Sequence, residues 1–471
     1  MKTKLLLIGC LMVHYCSGQS VAAKLNTALQ QLAQDAQFKY ATVGMYVINS
    51  ETGALVFEKN AQMGMAPASS QKVVTSVTAF ELLGKDYKYT TTLGYTGKIN
   101  KDVLEGSLLL KGSGDPTLGS WRYAGSKESV LLNKWLAAIQ AKGIKTVGRG
   151  LLVDERIFTS ATTPDGWIWQ DIGNYYGAAA NGLNWRENQF DLILQSGLKV
   201  GDPVTIKSTE PALLRSKLVL MNELRSGAKG SGDNAYIYLA PYTDIGFVRG
   251  TIPLGETKFT ISGAIPNPPQ LLADLLAKKM EDTGIRVKDM IGSFYSPIGK
   301  DPNQPFDVTP LVVHQSPTLD SINYWFLKKS INLYGEALLK TLTVQQQKPG
   351  HTDSGVAVVR QFWASRGIDK EALKVIDGSG LSPQNRLTAK ALVTVLQYAR
   401  NRPWFSSFYN ALPYMNGLSM KDGYINGVRS YTGYSKSKAG IPYTFCLMVN
   451  NFDGSAGTAR EKLWRILDLL K

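Results

Sequence analysis

The sequence predicts an α+β protein in which an antiparallel sheet with flanking helices is interrupted by a long, mostly β insert. Three observations carry this expectation. Period-two apolar alternation marks a hairpin in "ATVGMYVINSETGALVFEKN" at 41–60, and "GYINGVRSYTGYSKSKAGIPYTFCLMVNNF" at 423–452 reads as two or three strands with a tight turn at Ser437–Gly440. Helical periodicity dominates 316–345 and 386–402. Between them, from about 88 to 268, the texture is short alternating segments rich in Gly, Thr and Tyr, such as "YTTTLGYTGKI" and "NAYIYLA".

In chain order, "MKTK" followed by the apolar "LLLIGCLMVHYC" and the small residues of "CSGQS" reads as an export signal over 1–18, cleaved after Gly18. "LIGC" also spells a lipidation-type site at Cys10, but the apolar run continues past it. The expected setting is therefore the periplasm or cell envelope. Residues 24–36 predict a short amphipathic helix, and 42–57 a β-hairpin turning through Ser50–Gly53. A helix opening near residue 69 places Val73, Val77 and Phe80 on one face and stops at Gly84. The expected division is a discontinuous domain of 19–87 plus 269–471, with 88–268 inserted as two subdomains. The last helix is "GTAREKLWRILDLL".

Composition excludes several classes of function. With 44% hydrophobic and 19% charged residues in a chain of 471, there is material for two or three packed domains and no disordered tract. Cleavage after Gly18 removes Cys10 and Cys16, so Cys446 has no partner for an internal disulfide. It leaves His314 and His351 as the histidines, too few soft ligands for a transition-metal site. The formal charge of +15, or +13 without Lys2 and Lys4, comes with no basic run, which argues against nucleic acid. An anionic envelope or peptide suits that charge better.

The chemistry begins at "APASSQKVVTSVTAF", where Ser69 precedes Lys72 by three residues. A serine hydroxyl is a poor nucleophile until a neighbour takes its proton. A lysine three residues along a helix lies one turn away on the same face. To act as base it must be partly neutral, which burial and a second cation achieve. The spacing is not specific by itself, since "SGLK", "SGAK" and "SKSK" repeat it at Ser196, Ser226 and Ser435, and a serine here also caps a helix. Two further patterns follow in order: Ser330-Ile331-Asn332 before an amphipathic helix, and Lys421-Asp422-Gly423 at the entrance to a strand pair.

Together with "GSGDPTLGS", "HQSPTLDSINYWFLKKSINLYGEALLK" and "IDGSGLSPQNRLT", these phrases resemble the D-Ala-D-Ala carboxypeptidase/endopeptidase family, the class C low-molecular-mass penicillin-binding proteins, from about residue 24 to the end. The resemblance implies a penicillin-recognising serine transpeptidase-like domain. It also implies a serine D-Ala-D-Ala carboxypeptidase that needs no cofactor and works through an acyl-serine. Its partners would be peptidoglycan stem peptides ending in D-Ala-D-Ala, and β-lactam antibiotics. Ser69 would be the nucleophile, Lys72 its base, Ser330 a proton relay and Asn332 a holder of substrate or base. Lys421, Asp422, Gly423 and Tyr424 would bind substrate, with the N–H groups of Ser69 and Tyr424 as oxyanion hole. Asp115 and Asp377 are expected to close loops, His314 to be structural, and Cys446 to be a buried strand residue.

One position departs from the family, which carries Thr or Ser where this chain has Asp422. Two like charges about 4 Å apart repel by roughly 4 kcal/mol at an effective dielectric near 20. The residues leave open a compensating cation such as Arg429, a carboxylate turned aside, a preference for cross-bridges (DD-endopeptidase work), or a catalytically weakened peptidoglycan-binding homologue. A β-lactamase-like hydrolase is a further alternative.

Overall fold

The computed structural model describes residues 20–212, 218–294 and 307–471, so the expected leader at 1–18 lies outside the described residues. The two ends of the chain meet in one six-stranded sheet, in the order Leu55–Lys59, Thr42–Asn49, Pro442–Asn450, Val428–Lys436, Leu418–Ile425 and Tyr414–Met415. Every pairing in it is antiparallel. The Pro442–Asn450 strand is buried along nearly its whole length, because helices cover both faces of the sheet. That explains why "YTFCLMV" reads as a continuous apolar run rather than an alternation. Cys446 is buried in this strand, as expected.

On one face, Leu25 and Leu29 of the Val21–Gln34 helix and Leu463 and Ile466 of the Ala456–Leu467 helix pack on Met45, Val47, Leu447 and Val449. On the other face, the Lys72–Leu83, Asn332–Val344 and Ala389–Arg400 helices bury Val73, Val77, Leu338 and Leu392 with Cys446 and Met448. The Lys72–Leu83 helix is buried on almost all sides at its start, so a lysine there is held away from water.

The intervening chain forms its own core. Its largest sheet runs Met290–Phe294, Gly150–Asp154, Ser107–Lys111, Thr90–Tyr95 and Thr309–Gln315. Three of these strands pair in parallel. Parallel strands need crossover connections, here the helices Glu128–Ala141 and Pro268–Glu281. The first of these was not part of the β-rich reading, although Leu131, Trp135 and Ile139 recur every four residues and are fully buried. Smaller sheets hold Gln189–Gln195, Thr205–Glu210 and Phe259–Ala264, and the strands between Val219 and Pro253.

The described parts of 269–315, namely 269–294 and 307–315, were assigned from sequence to the flanking domain but pack with the insert. Leu272, Leu276 and Met280 bury in the insert core, and Thr309–Gln315 pairs with Thr90–Tyr95. The apolar stripe of the Pro268–Glu281 helix is what covers the parallel sheet. We propose that the domain boundary falls near 316 rather than at 269. No helix among the described residues is long and apolar enough to cross a membrane.

Candidate active site

Ser69 sits in a short 3-10 turn, Ala68–Gln71, that runs directly into the Lys72–Leu83 helix. Ala68 is held at φ +45°. A non-glycine residue in this region costs of order 1 kcal/mol and persists only when its surroundings hold it. Here they do: Ser430 Oγ donates to the Pro67 carbonyl, and so does Ser70 Oγ at 2.7 Å. The turn lifts the Ser69 hydroxyl to the cleft while Lys72 stays inside, fully buried.

Three groups surround Lys72 Nζ: Asn332 Oδ1 at 2.6 Å, the Ser379 carbonyl at 2.7 Å and Ser69 Oγ at 2.8 Å. A neutral amine has two N–H donors and one lone pair. With the amine neutral, the carbonyl and the Asn332 oxygen take its two donors and its lone pair is left for the Ser69 proton. Burial drives the Lys72 pKa well below the usual lysine value, and the Lys421 charge lowers it further. Asp377, Glu336 and Asp422 act in the opposite direction. The arrangement therefore suits proton abstraction from Ser69.

Ser330 and Asn332 reach the cleft from the junction of two helices, Leu319–Lys328 and Asn332–Val344. Ser330 is held at φ +57°, which breaks the helix and turns the next one. Asn332 donates through Nδ2 to the Tyr176 carbonyl at 2.7 Å, fixing which end of its amide faces Lys72. Tyr176 belongs to the insert, so the insert contributes directly to the site.

The Leu418–Ile425 strand borders the other side. Gly423 passes so close to the serine turn that a Cβ there would sit 2.5 Å from the Pro67 carbonyl oxygen and 2.8 Å from the Ser69 nitrogen. Only glycine permits this approach. Tyr424, which follows it, is exposed at the cleft, with the Arg429 guanidinium 4.4 Å from its ring centroid.

Asp422 lies directly across from Tyr431, which with Met420 faces the terminal-helix core. Strand alternation puts Asp422 on that side and Lys421 and Gly423 on the serine side. The Lys421 ammonium donates to the Asp422 carbonyl at 2.7 Å and to its carboxylate at 3.1 Å. Burial pushes the Asp422 pKa up, but the Lys421 charge and hydrogen bond, with Arg429, outweigh it and hold Asp422 below the usual carboxylate range.

Asp377 closes its loop as the sequence led us to expect, but sequence reasoning missed that this loop supports Lys72. Asp377 is buried and accepts from Gln71 Nε2, Trp167 Nε1, the Gly380 and Ser382 amides and Asn385 Nδ2, at 2.6–3.1 Å. From the opposite side, Glu336 accepts the Gly378 amide on both oxygens, at 3.1 and 3.0 Å. The loop so held presents the Ser379 carbonyl to Lys72. Burial, with Asp377 nearby, raises Glu336 to about 8. The whole cleft encloses about 550 Å³ and is walled on the insert side by Arg122, Asp171, Tyr175 and Tyr176. Burial raises Asp171 to about 6.

Fold and cleft together place the chain among the penicillin-recognising serine hydrolases. Over residues 25–467 it matches the D-Ala-D-Ala carboxypeptidase 3 (S13) family, and it belongs to that family. It is 26% identical over 463 residues to a D-alanyl-D-alanine carboxypeptidase of an Actinomadura species, covering 93% of this chain and 82% of that one. It is 23% identical over 445 residues to D-alanyl-D-alanine carboxypeptidase DacB of Haemophilus influenzae, covering 90% and 88%. The crystal structure of penicillin binding protein 4 from H. influenzae shares the fold, with TM-score 0.78 at 21% identity over 94% of this chain and 97% of that one.

Proposed function

We propose that this chain is an exported serine D-alanyl-D-alanine carboxypeptidase of the cell envelope, acting on peptidoglycan stem peptides through an acyl-enzyme on Ser69. The observation that carries the reading is the buried Lys72 amine within 2.8 Å of the Ser69 hydroxyl and 2.6 Å of Asn332. Lys72 takes the Ser69 proton as Oγ attacks the carbonyl of the penultimate D-alanine. The Ser69 and Tyr424 amides receive the developing oxyanion. Ser330, at the cleft, passes a proton to the departing D-alanine amine. Water then releases the peptide by the reverse sequence. The test is labelling with a fluorescent penicillin: wild type takes the label and Ser69→Ala does not. An unlabelled wild type sinks the reading.

A second reading concerns the substrate's end. Lys421 donates to both the carbonyl and the carboxylate of Asp422, so less of its charge is available to a free C-terminal carboxylate. This favours cross-bridges, in which the scissile D-alanine is not followed by a free terminus of the same kind. A catalytic rate on cross-linked dimer that is no higher than on pentapeptide refutes it.

A further inference from the structure

Beside the catalytic cleft the insert carries a second depression of about 600 Å³, lined among others by Trp121, Lys127, Glu128, Arg186, Asp191 and Ser262. Gln189 lines both, so a single side chain borders the two depressions. Trp121 is 48% exposed at its edge. The Arg122 guanidinium, which lines the cleft, lies 5.4 Å from the Trp121 ring centroid on one side and 5.3 Å from that of Trp325 on the other.

The turn that carries Arg186 into the groove and precedes Gln189 is strained. Arg186, Glu187 and Asn188 all have positive φ, at 56°, 53° and 53°. Three successive non-glycine residues in that region cost several kcal/mol unless firmly held, and such strain gathers at ligand sites. The turn is held from inside. Buried Glu187 accepts from Ser120 Oγ at 2.7 Å, Arg122 Nε at 2.9 Å and Tyr334 Oη at 2.9 Å. Tyr334 is on the helix that begins with Asn332. The consequence is that Arg186 is presented to the groove, paired to Glu128 at 3.3 Å, while Gln189 emerges at the junction.

The floor of the groove is the outward face of a sheet. Gln189 and Asp191 alternate outward along their strand, and Ser262 sits opposite Asp191 and donates to it at 2.6 Å. The Gln189–Gln195 strand lies between two partners, and Phe259–Ala264, which carries Ser262, is the edge of that sheet. The side chains lining the groove supply one flat indole, with guanidinium, carboxylate, amide and hydroxyl groups around it. The charges balance, with Lys127 and Arg186 against Glu128 and Asp191. A neutral ligand with an apolar ring face and a rim of hydroxyl and amide groups fits this lining; a carboxylate or phosphate does not.

We infer that this groove is a saccharide subsite that holds the glycan from which the stem peptide hangs while the peptide enters the catalytic cleft. The inference rests on the peptidase reading above and names the part of the substrate that reading leaves unplaced. The strained turn sets Arg186 in the groove and leads directly into Gln189, the residue that borders both depressions.

The test compares kcat/KM for a pentapeptide carrying its glycan disaccharide with that for the free pentapeptide, alongside penicillin acylation of the same preparations. Wild type is expected to favour the glycopeptide about tenfold, the factor that 1.4 kcal/mol of aromatic stacking and hydrogen bonding gives. Trp121→Ala, and Ser262→Trp, which fills the groove and keeps Trp121 itself, are expected to bring that ratio near one while still being acylated by penicillin. Calorimetry with the disaccharide alone should show binding that both variants lose. A wild type acylated by penicillin yet indifferent to the sugar overturns the subsite and leaves the peptidase reading standing. A preference for a sugar-free cross-linked peptide dimer, lost in both variants, overturns it in favour of a peptide groove. A wild type that penicillin does not acylate, but that binds the disaccharide, overturns the peptidase reading instead.

Discussion

Replacing Gly423 by alanine tests the contact on which the proposed oxyanion hole depends. The new Cβ would fall 2.5 Å from the Pro67 carbonyl oxygen and 2.8 Å from the Ser69 nitrogen, both backbone atoms of the serine turn. Neither is the free end of a side chain, so strand and turn must separate by roughly 0.5–1 Å to reach ordinary contact distances. Overpacking of this kind costs about 1–3 kcal/mol of stability. Oxyanion donors act within about 2.7–3.1 Å, so the same displacement takes one of the two amides out of range. Losing one donor lowers the rate about 10²–10³-fold, or roughly 3–4 kcal/mol in the barrier. The assay is the second-order rate of acylation by penicillin, measured with urea unfolding of the same variant. A Gly423→Ala protein that acylates at the wild-type rate refutes the proposal that Ser69 and Tyr424 form the hole across this contact.

Other expectations follow from the charges around Lys72. Activity should rise with pH as Lys72 loses its proton, with the acid limb well below the ordinary lysine range, because burial and Lys421 lower its pKa. In Lys421→Met the lowering charge is gone and Asp422 remains, so that limb should move to higher pH in a pH–rate profile of acylation; no movement refutes the coupling. Asp422→Thr frees the Lys421 ammonium and should raise turnover of pentapeptide relative to cross-linked dimer by about tenfold, the equivalent of one hydrogen bond to a charged group. An unchanged ratio argues against the cross-bridge preference. Asp377→Ala leaves several buried donors without their acceptor and should cost about 3–5 kcal/mol in urea denaturation. It should also slow acylation, since the loop that presents the Ser379 carbonyl loses its anchor; a loss under 1 kcal/mol contradicts that role.

What the sequence disclosed, and what it hid, divides along a physical line. Helical geometry sets the Ser69–Lys72 distance whatever the rest of the chain does, but only the phrases around the pair set it apart from three others of the same spacing. Asn332 and Lys421 were legible only through their order and the phrases around them, since nothing local brings residue 332 to residue 72. The supporting acceptors were invisible. The Ser379 and Tyr176 carbonyls belong to the backbone and leave no mark in residue identity, and Asp377 looks like any loop aspartate until its five donors converge. The hairpin at 42–59 and the closing strands read clearly because one face of most of them is dry. The helix Glu128–Ala141 was passed over because its neighbours are short strands, and the parallel pairing that required it joins residues far apart in sequence.

The hydrogen bond from Asn332 to the Tyr176 carbonyl bears on how this molecule can be taken apart. Residues 88–268 are not a detachable module, because Asn332, which holds Lys72, is itself held by Tyr176. Excising them would leave the Asn332 amide free to rotate, and would also strip Lys340 of the Ala161, Thr162 and Ala180 carbonyls that solvate its buried amine. The remaining chain would lose the orientation of Lys72 and the shelter of a second lysine at one stroke.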